Sequence, residues 1–243
     1  MPKDLIGKTI IVTGAGKGIG RATCVMLSEL GANVVAISRT LSDLEFLKAE
    51  TGCETHLLDI SNSTEFRYLM RSITQADGLV NCAGINILEP FLEVTEEAFD
   101  EIYAINTKAA MIAAQEFSKT LIAASRKGAI VNVSSISSFV GFADHTSYCA
   151  SKGAMDAMSR VMANELGEYR IRVNCINPIV TMTELAAEAW SDPEKSEPIL
   201  SRVPVGHFAE VVDVANLILF LLSENSRMLN ATAIPVDGGF LAR

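Results

Sequence analysis

Thr9-Ile10-Ile11-Val12-Thr13-Gly14-Ala15-Gly16-Lys17-Gly18-Ile19-Gly20 is the stretch that decides the fold. Its first residues form a short β-branched run, which is typical of a buried parallel strand. A helical pattern follows the glycines and continues to Leu30, Gly31 ends it, and residues 33–37 form a second apolar run. The pattern therefore predicts a strand–helix–strand unit with glycines at its first turn.

The glycines have the spacing Gly-x-x-x-Gly-x-Gly, at Gly14, Gly18 and Gly20. Ile19 occupies the place of the last glycine of the stricter Gly-x-Gly-x-x-Gly pattern. Glycine lets the backbone turn tightly and approach a pyrophosphate, which lies at the N-terminus of the helix. A tight turn without a ligand is the alternative, but the strand before the loop and the helix after it favour dinucleotide binding.

The end of the second strand indicates which dinucleotide binds. An NAD-binding protein usually has an acidic residue there for the ribose 2′-hydroxyl, whereas this sequence has Ser38, Arg39 and Thr40. Arg39 offers a planar fork of donors that suits a phosphate, and Lys17 of the glycine loop could add a second positive charge. The hydroxyl groups of Ser38 and Thr40 are further donors. A solvated arginine is the alternative, but the missing carboxylate favours NADP over NAD.

More candidates follow the next strand ends, because ligands of open α/β sheets lie at the carboxyl ends of strands. Asp59 follows a third predicted strand at residues 54–58. It could accept a hydrogen bond from the adenine amino group, or it could cap the next helix. A short fourth strand leads into Asn81, Ala83 and Gly84, where small residues let the backbone approach a cofactor.

A tyrosine and a lysine four residues apart carry the candidate chemistry. Tyr148 and Lys152 lie one turn apart on one face of a predicted helix, and the ammonium favours the ionised form of the phenol. Tyr148 would then be a general acid near neutral pH. A fifth strand at residues 129–135 ends with Ser135, which faces the same crevice in a doubly wound sheet. An aromatic residue beside a solvated lysine is the alternative.

Three further features surround this crevice. Asn106 lies in an apolar helical stretch, and a buried asparagine needs partners, so it is either structural or holds a water near the site. Thr181 and Thr183 follow a sixth predicted strand. The charged segment at about residues 182–205 has the length of a substrate lid, with an ordinary helical excursion as the alternative. Residues 211–222 form an apolar helix that could lie at an oligomer interface.

The composition restricts the class of protein. The 243 residues, 49% of them hydrophobic, fit one α/β domain with a sizeable core. A net charge of −9 disfavours nucleic acid and anionic membranes as partners. The five cysteines have no metal-binding spacing and fit a reducing compartment. Without a signal peptide or an apolar run of transmembrane length, the sequence predicts a soluble cytoplasmic protein that holds no metal.

Taken together, the motifs resemble the short-chain dehydrogenase/reductase family. The motifs that occur in the family's order and spacing are Thr13-Gly14-x-x-x-Gly18-x-Gly20, Asn81-x-Ala83-Gly84, Asn106, Ser135 and Tyr148-x-x-x-Lys152. The resemblance covers essentially the whole chain. It implies one domain over residues 1–243, built on a Rossmann-type, doubly wound parallel sheet of seven strands with helices on both faces. It also implies a homotetramer or a dimer.

The resemblance assigns a role to each motif residue. Tyr148 would protonate the carbonyl oxygen while a nicotinamide hydride attacks the carbonyl carbon, and Lys152 would activate Tyr148 and bind the nicotinamide ribose. Ser135 would hydrogen-bond the carbonyl oxygen, and Asn106 would hold a proton-relay water. The predicted cofactor contacts are Gly14, Lys17, Gly18, Ile19, Gly20, Ser38, Arg39, Thr40, Asp59, Asn81, Ala83, Gly84, Tyr148, Lys152, Thr181 and Thr183.

Several stretches are similar to the dicarbonyl/L-xylulose reductase branch of this family, including Ser38-Arg39-Thr40 and Trp190-Ser191-Asp192-Pro193. Many family members have Pro-Gly after the sixth strand, whereas this chain has Pro178-Ile179, a departure that the branch shares. The similarity implies NADPH-dependent reduction of α-dicarbonyls, and of L-xylulose to xylitol, by a homotetramer. His145 and Trp190 match positions near the branch's substrate pocket, with helix capping and lid packing as the alternatives.

Three other functions remain open. A 3-oxoacyl-carrier-protein reductase needs a basic docking patch for its acidic partner, which a net charge of −9 mildly disfavours. A polyol or alcohol dehydrogenase would run the same chemistry in the oxidative direction. A catalytically idle NADP-binding sensor is disfavoured because cofactor binding alone does not require Ser135, Tyr148 and Lys152 together.

Overall fold

The computed structural model describes residues 2–183, 186–187 and 190–242. The strands that it contains are β1 (Thr9–Thr13), β2 (Asn33–Ser38), β3 (Glu54–Leu57), β4 (Gly78–Asn81), β5 (Gly128–Val133), β6 (Ile171–Pro178), β7 (Thr181–Met182), β8 (Ala209–Glu210) and β9 (Ala233–Val236). Seven of them form one parallel sheet in the order β3-β2-β1-β4-β5-β6-β9, and β7 pairs with β8 alone. The predicted doubly wound sheet of seven strands is confirmed.

Helices cover both faces of this sheet. They are α1 (Gly18–Glu29), α2 (Leu41–Thr51), α3 (Ser63–Ser72), α4 (Glu96–Tyr103), α5 (Ala109–Ala123), α6 (Thr146–Leu166), α7 (Pro193–Leu200) and α8 (Val211–Leu222). Alternate residues of β1 supply two separate apolar layers: Val12 packs with Leu27 of α1, whereas Ile11 packs with Phe66 of α3 and Phe117 of α5. Because both faces are buried, the inner strands read as continuous apolar runs.

Several strand boundaries differ from the sequence prediction, and two of these differences have a clear local cause. The fifth strand ends before Ser135, because the Ser135 side chain accepts from the Ser137 amide and begins the 3₁₀ turn Ile136–Ser138. The mostly apolar residues 231–236 predict a last strand, but β9 begins only at Ala233, because Ala231 has a positive φ of 62°, which lies outside the β region. Both differences arise from local turns at strand ends and leave the order of the sheet unchanged.

The helix that carries Asn106 is interrupted. Thr95 caps its start by accepting from the Ala98 amide at 3.2 Å. Between α4 and α5, however, Ala104–Lys108 form a π-helical turn, and Asn106 lies in its middle. Such turns are inserted in helices and are frequent at functional sites. The apolar periodicity of the sequence predicts one continuous helix, since one widened turn changes that periodicity little.

Two features of the described part of the chain concern membranes and metal ions. None of its helices combines the length and the apolarity that crossing a bilayer requires. The same residues contain no group of three or more His, Cys, Asp or Glu side chains that could hold a metal ion.

Candidate active site

A cavity of about 540 Å³ opens at the carboxyl ends of the parallel strands. Its lining includes residues that follow β1, β4, β5 and β6, such as Gly14, Cys82, Ser134 and Ile179. β1 and β4 are neighbours at the middle of the sheet. From β1 the chain adds β2 and β3 on one side, and from β4 it adds β5 and β6 on the other. The cavity therefore lies at the switch in strand order, where ligands of open α/β sheets bind.

The glycine loop forms one wall of this cavity, and it has no room for side chains at two positions. Gly14 has a φ of 66°, and a Cβ there would lie 2.7 Å from the Cα of Ala83. A Cβ on Gly20 would lie 2.2 Å from the Gly14 carbonyl oxygen. Thr13 Oγ1 accepts from the Ala83 amide at 3.3 Å and joins the ends of β1 and β4. The loop and the start of α1 fit the close backbone approach that a pyrophosphate needs.

Tyr148 and Lys152 line the cavity from α6. Lys152 Nζ lies 5.5 Å from the centroid of the Tyr148 ring and donates to the Val133 carbonyl at 2.8 Å. Lys152 is only 4% exposed. Because the side chain is buried and its hydrogen bond goes to a neutral carbonyl, its positive charge acts on the phenol with less screening than in bulk water.

Ser135 reaches the same cavity from the loop after β5. Its backbone is extended, with a φ of −165°, and its Oγ accepts from the Ser137 amide at 3.1 Å. The Oγ also lies 3.1 Å from the Ser137 hydroxyl. The structure thus brings together Ser135, Tyr148 and Lys152, the three residues that the sequence predicts to act on a carbonyl.

Asn106 lies behind the cavity wall and is fully buried. Its Oδ1 accepts from the Ile85 amide at 2.8 Å, and its Nδ2 donates to the Ile85 carbonyl at 2.9 Å and to Ser151 Oγ at 3.1 Å. Ser151 Oγ in turn donates to the Tyr148 carbonyl at 2.8 Å. The side chain therefore links the loop after β4 to α6, which is the structural role that the sequence left open for Asn106. Its role toward a water stays a prediction.

The groups predicted to select the cofactor lie around the end of β2. Arg39 is exposed there. The Ser61 amide is the main cause that lowers the pKa of the nearby Asp59, and the charge of Arg39 lowers it further. The same amide occupies Asp59 Oδ1 at 2.9 Å, so Asp59 does not cap α3. Asn62 does so instead, which corrects that alternative.

One neighbour of this region escaped the sequence analysis. Asp43, in the first turn of α2, places its Oδ2 3.6 Å from Lys17 Nζ. A Cβ on Gly16 would lie 2.8 Å from Ser38 Oγ and 2.9 Å from the Cβ of Asp43. The sequence does show an acidic residue in the first turn of a predicted helix. Because an acidic side chain there is already favoured by the helix dipole, its position gave no indication of a cofactor site.

The remaining predicted residues divide between the lining and its surroundings. In the lining are Ile19, Ala83, Gly84, Thr181, Thr183, His145 and Trp190, together with Lys17. Outside it are Gly18, Ser38, Arg39, Thr40, Asp59 and Asn81. The Asn81 side chain is 3% exposed and donates to Asn132 Oδ1 at 2.8 Å. It therefore supports the strands from within the core and does not point into the cavity.

His145 and Trp190, the two predicted substrate contacts, both line the cavity. His145 Nδ1 lies 2.6 Å from the Ala143 carbonyl oxygen, and because a carbonyl oxygen can only accept, Nδ1 is the donor in this bond. His145 is the N-cap residue of α6, but its side chain forms no capping hydrogen bond with the helix. Trp190 packs edge-on against Phe208 with the ring centroids 5.7 Å apart. It therefore combines lid packing with a place in the lining.

The segment predicted as a lid is described only in part. Four of its residues, 184–185 and 188–189, lie outside the described residues. Its last part contains α7, and Ile199 of that helix lines the cavity. The base of the segment is held by the pairing of β7 with β8.

Cys82 is a lining residue that the sequence analysis did not select. Burial raises the pKa of its thiol to about 12, against the opposing effect of the Lys152 charge. At pH 8 the thiolate fraction is then about 10⁻⁴, and the thiolate is the reactive form. We expect Cys82 to resist iodoacetamide in the native protein at pH 8, as peptide mass spectrometry can measure. Unfolding in urea should restore its alkylation, and rapid labelling in the native state would contradict the burial.

Comparison with known proteins agrees with this geometry. The family profile described as enoyl-(acyl carrier protein) reductase matches residues 14–241. L-xylulose reductase from Mesocricetus auratus is 47% identical over 242 residues, 99% of each chain. D-erythrulose reductase from Gallus gallus is 46% identical and covers 97% of this chain and 96% of its own. A crystal structure with bound NADP from Agrobacterium tumefaciens, of a protein to which 2-deoxy-D-gluconate 3-dehydrogenase activity is ascribed, is 33% identical. It covers 100% of this chain and 99% of its own with a TM-score of 0.91. The chain belongs to the short-chain dehydrogenase/reductase family and is an oxidoreductase that acts on CH–OH or carbonyl groups.

Proposed function

We propose that this protein is a carbonyl reductase that uses NADPH to reduce small polar ketones, with α-dicarbonyls and L-xylulose as its substrates. The observation that carries the proposal is the convergence of Ser135, Tyr148 and Lys152 on one cavity beside the glycine loop. The relatives from Mesocricetus auratus and Gallus gallus are both named for the reduction of ketoses, which supports this substrate class.

The side chains divide the work of the reduction. NADPH, when bound, supplies the hydride. The Ser135 hydroxyl and the Tyr148 phenol would both donate to the carbonyl oxygen, and Tyr148 would transfer its proton as that oxygen gains negative charge. Lys152 would stabilise the phenolate that Tyr148 becomes. Because His145 Nδ1 is bonded to the Ala143 carbonyl, Nε2 is the ring nitrogen that would contact a hydroxyl group of the substrate.

The preference for NADPH over NADH follows from the charges near β2. Arg39 stands, exposed, where an NAD-binding protein has a carboxylate, with the Ser38 hydroxyl beside it. Asp43 lies close to Lys17, so the Lys17 charge partly compensates the charge of Asp43. The bound NADP of the Agrobacterium tumefaciens structure supports the same cofactor. The proposed cofactor contacts of the residues outside the cavity lining, such as Gly18, Thr40 and Asp59, are part of the same proposal.

The other proposals come from the family resemblance. They are a homotetramer and a single domain of residues 1–243. From the sequence itself we also propose a cytoplasmic location and a lid of about residues 182–205. The described cysteines are all unpaired, which supports a reducing compartment.

A substrate panel tests the proposed function. NADPH oxidation should be followed at 340 nm with diacetyl, with L-xylulose and with an acetoacetyl thioester. We expect turnover of the first two, because their small polar carbonyls can accept hydrogen bonds from Ser135 and Tyr148, and little turnover of the thioester. The absence of a rate with both would contradict the substrate class. A dominant rate with the thioester would favour a 3-oxoacyl-carrier-protein reductase.

The remaining alternatives need two further assays. Xylitol with NADP⁺ measures the oxidative direction that a polyol dehydrogenase would use. Cofactor binding without turnover of any carbonyl or alcohol substrate would favour the NADP-binding sensor.

A further inference from the structure

A buried carboxylate lies on the catalytic helix, and the proposed reaction does not use it. Asp156 follows Lys152 by four residues, as Lys152 follows Tyr148, so the three side chains recur once per turn of α6. Asp156 is 5% exposed. A carboxylate removed from water is costly unless it is hydrogen-bonded, so its partners indicate what it does.

Its partner is Asn177, at the end of β6. Asn177 is fully buried, and its Nδ2 donates to Asp156 Oδ2 at 2.9 Å. The same Nδ2 lies 3.1 Å from the carbonyl oxygen of Ser135 and 2.9 Å from Ser138 Oγ. One amide nitrogen with two hydrogens therefore serves three acceptors, and two of them belong to the turn that holds the proposed catalytic serine.

The carboxylate decides which way this amide points. If the Asn177 amide were reversed, its oxygen would face the Asp156 carboxylate and the Ser135 carbonyl, two acceptors with no hydrogen to share. Asp156 Oδ2 opposes this reversal, because a carboxylate oxygen can only accept a hydrogen bond and therefore pairs with the amide nitrogen of Asn177 and not with its oxygen. Among the described atoms, Asp156 Oδ1 and Asn177 Oδ1 have no hydrogen-bond partner, so no other bond fixes the amide through its oxygen.

Cys175 also lies near Asp156, but it does not take the place of Asn177 as the link to the active site. Burial raises the pKa of the Cys175 thiol well above its usual value, and the Asp156 charge raises it further. Cys175 therefore stays a weakly polar thiol, and it lies 3.0 Å from Ser159 Oγ. Asn177 is the amide donor that connects this carboxylate to the active site.

We propose that Asp156 is a positioning residue, which acts through Asn177 to set Ser135 relative to Tyr148. The helix that carries the proton donor would thereby also fix the serine that shares the carbonyl oxygen. This inference rests on the proposed function. Displacements of about 1 Å at a reacting centre can reduce rates about 100-fold, so a loose serine has a measurable effect.

Three variants separate positioning from stability. Asp156→Ala removes the acceptor, and kcat for the ketone should fall about ten- to hundredfold while the NADPH dissociation constant, measured by fluorescence, stays unchanged. Asp156→Asn keeps an acceptor oxygen for Asn177 Nδ2 and should restore kcat to within about threefold. Ser159→Ala is the matched control, because Ser159 is equally buried on α6 and its Oγ accepts from Asn132 Nδ2 at 2.7 Å, away from Ser135.

The outcomes are distinct. Unchanged kcat in Asp156→Ala, or an equal loss in Ser159→Ala, overturns the positioning role while the proposed function stands. A wild-type protein that reduces no carbonyl overturns both. If Asp156→Ala does not fold, Asp156→Asn combined with Asn177→Asp keeps a bond between the two positions but offers no donor to the Ser135 carbonyl. That double variant should fold and have low kcat, and wild-type kcat in it refutes the inference.

Discussion

Replacing Tyr148 by phenylalanine is expected to reduce kcat for carbonyl reduction by about 10³ or more, because the variant has no proton to transfer to the oxygen. The phenylalanine ring keeps the place of the tyrosine ring beside Lys152, whose Nζ lies 5.5 Å from the ring centroid. Cofactor binding should therefore survive. NADPH oxidation with diacetyl measures the first effect, and quenching of protein fluorescence on titration with NADPH measures the second.

The control for this change is Tyr169→Phe. Tyr169 is 41% exposed in the turn after α6 and does not line the cavity, so its hydroxyl can be removed without effect on kcat. If Tyr148→Phe retained kcat within about tenfold of the wild type, Tyr148 would not be the proton donor. If Tyr148→Phe also lost NADPH binding, its low kcat would indicate a disturbed cofactor site and not the loss of proton transfer.

Replacing Arg39 by aspartate is expected to change the cofactor preference. The ratio of kcat/KM with NADPH to that with NADH should fall by about 10²–10³. A hydrogen bond to a charged group contributes about 1.5–3 kcal/mol, and the new carboxylate adds repulsion of the 2′-phosphate. The carboxylate would also supply the acceptor that the ribose 2′-hydroxyl of NADH needs.

The control for this change carries the same change in charge at another place. Arg227→Asp alters an exposed arginine beside a separate cavity that lies away from the glycine loop, so the cofactor ratio should stay constant. An unchanged ratio in Arg39→Asp would refute the role of Arg39. Equal shifts in both variants would attribute the preference to net charge, which is −9 in the wild type.

Most of the fold was predictable because short stretches of the sequence indicate its strands and helices. The glycine loop between two apolar runs predicts the first strand–helix–strand unit, and α8 spans the apolar run at residues 211–222. The π turn at Ala104–Lys108 was not predictable, since one widened turn changes the apolar spacing little. Asp59 and Asn62 are both good helix caps by residue type, and only the local backbone decides between them.

The candidate site divides in the same way. The convergence of Ser135 with Tyr148 was predictable, because parallel strands end at one edge of the sheet. The pairs that the sequence analysis missed join side chains that are distant in sequence. Asp156 and Asn177 are 21 residues apart, and their contact depends on how α6 packs against β6. Similarly, nothing local to Asp43 indicates that it reaches Lys17.

The strand order has a consequence for how the protein reaches its active form. The pairing of β1 with β4 joins Thr13 to Asn81 across the middle of the sheet. The three strands β1 to β3 can assemble from nearby segments, but the cavity needs this long-range pairing and then β5 and β6. Such distant contacts form slowly in folding chains. We therefore expect a refolding molecule to regain catalysis last, so that recovered activity reports the completed fold.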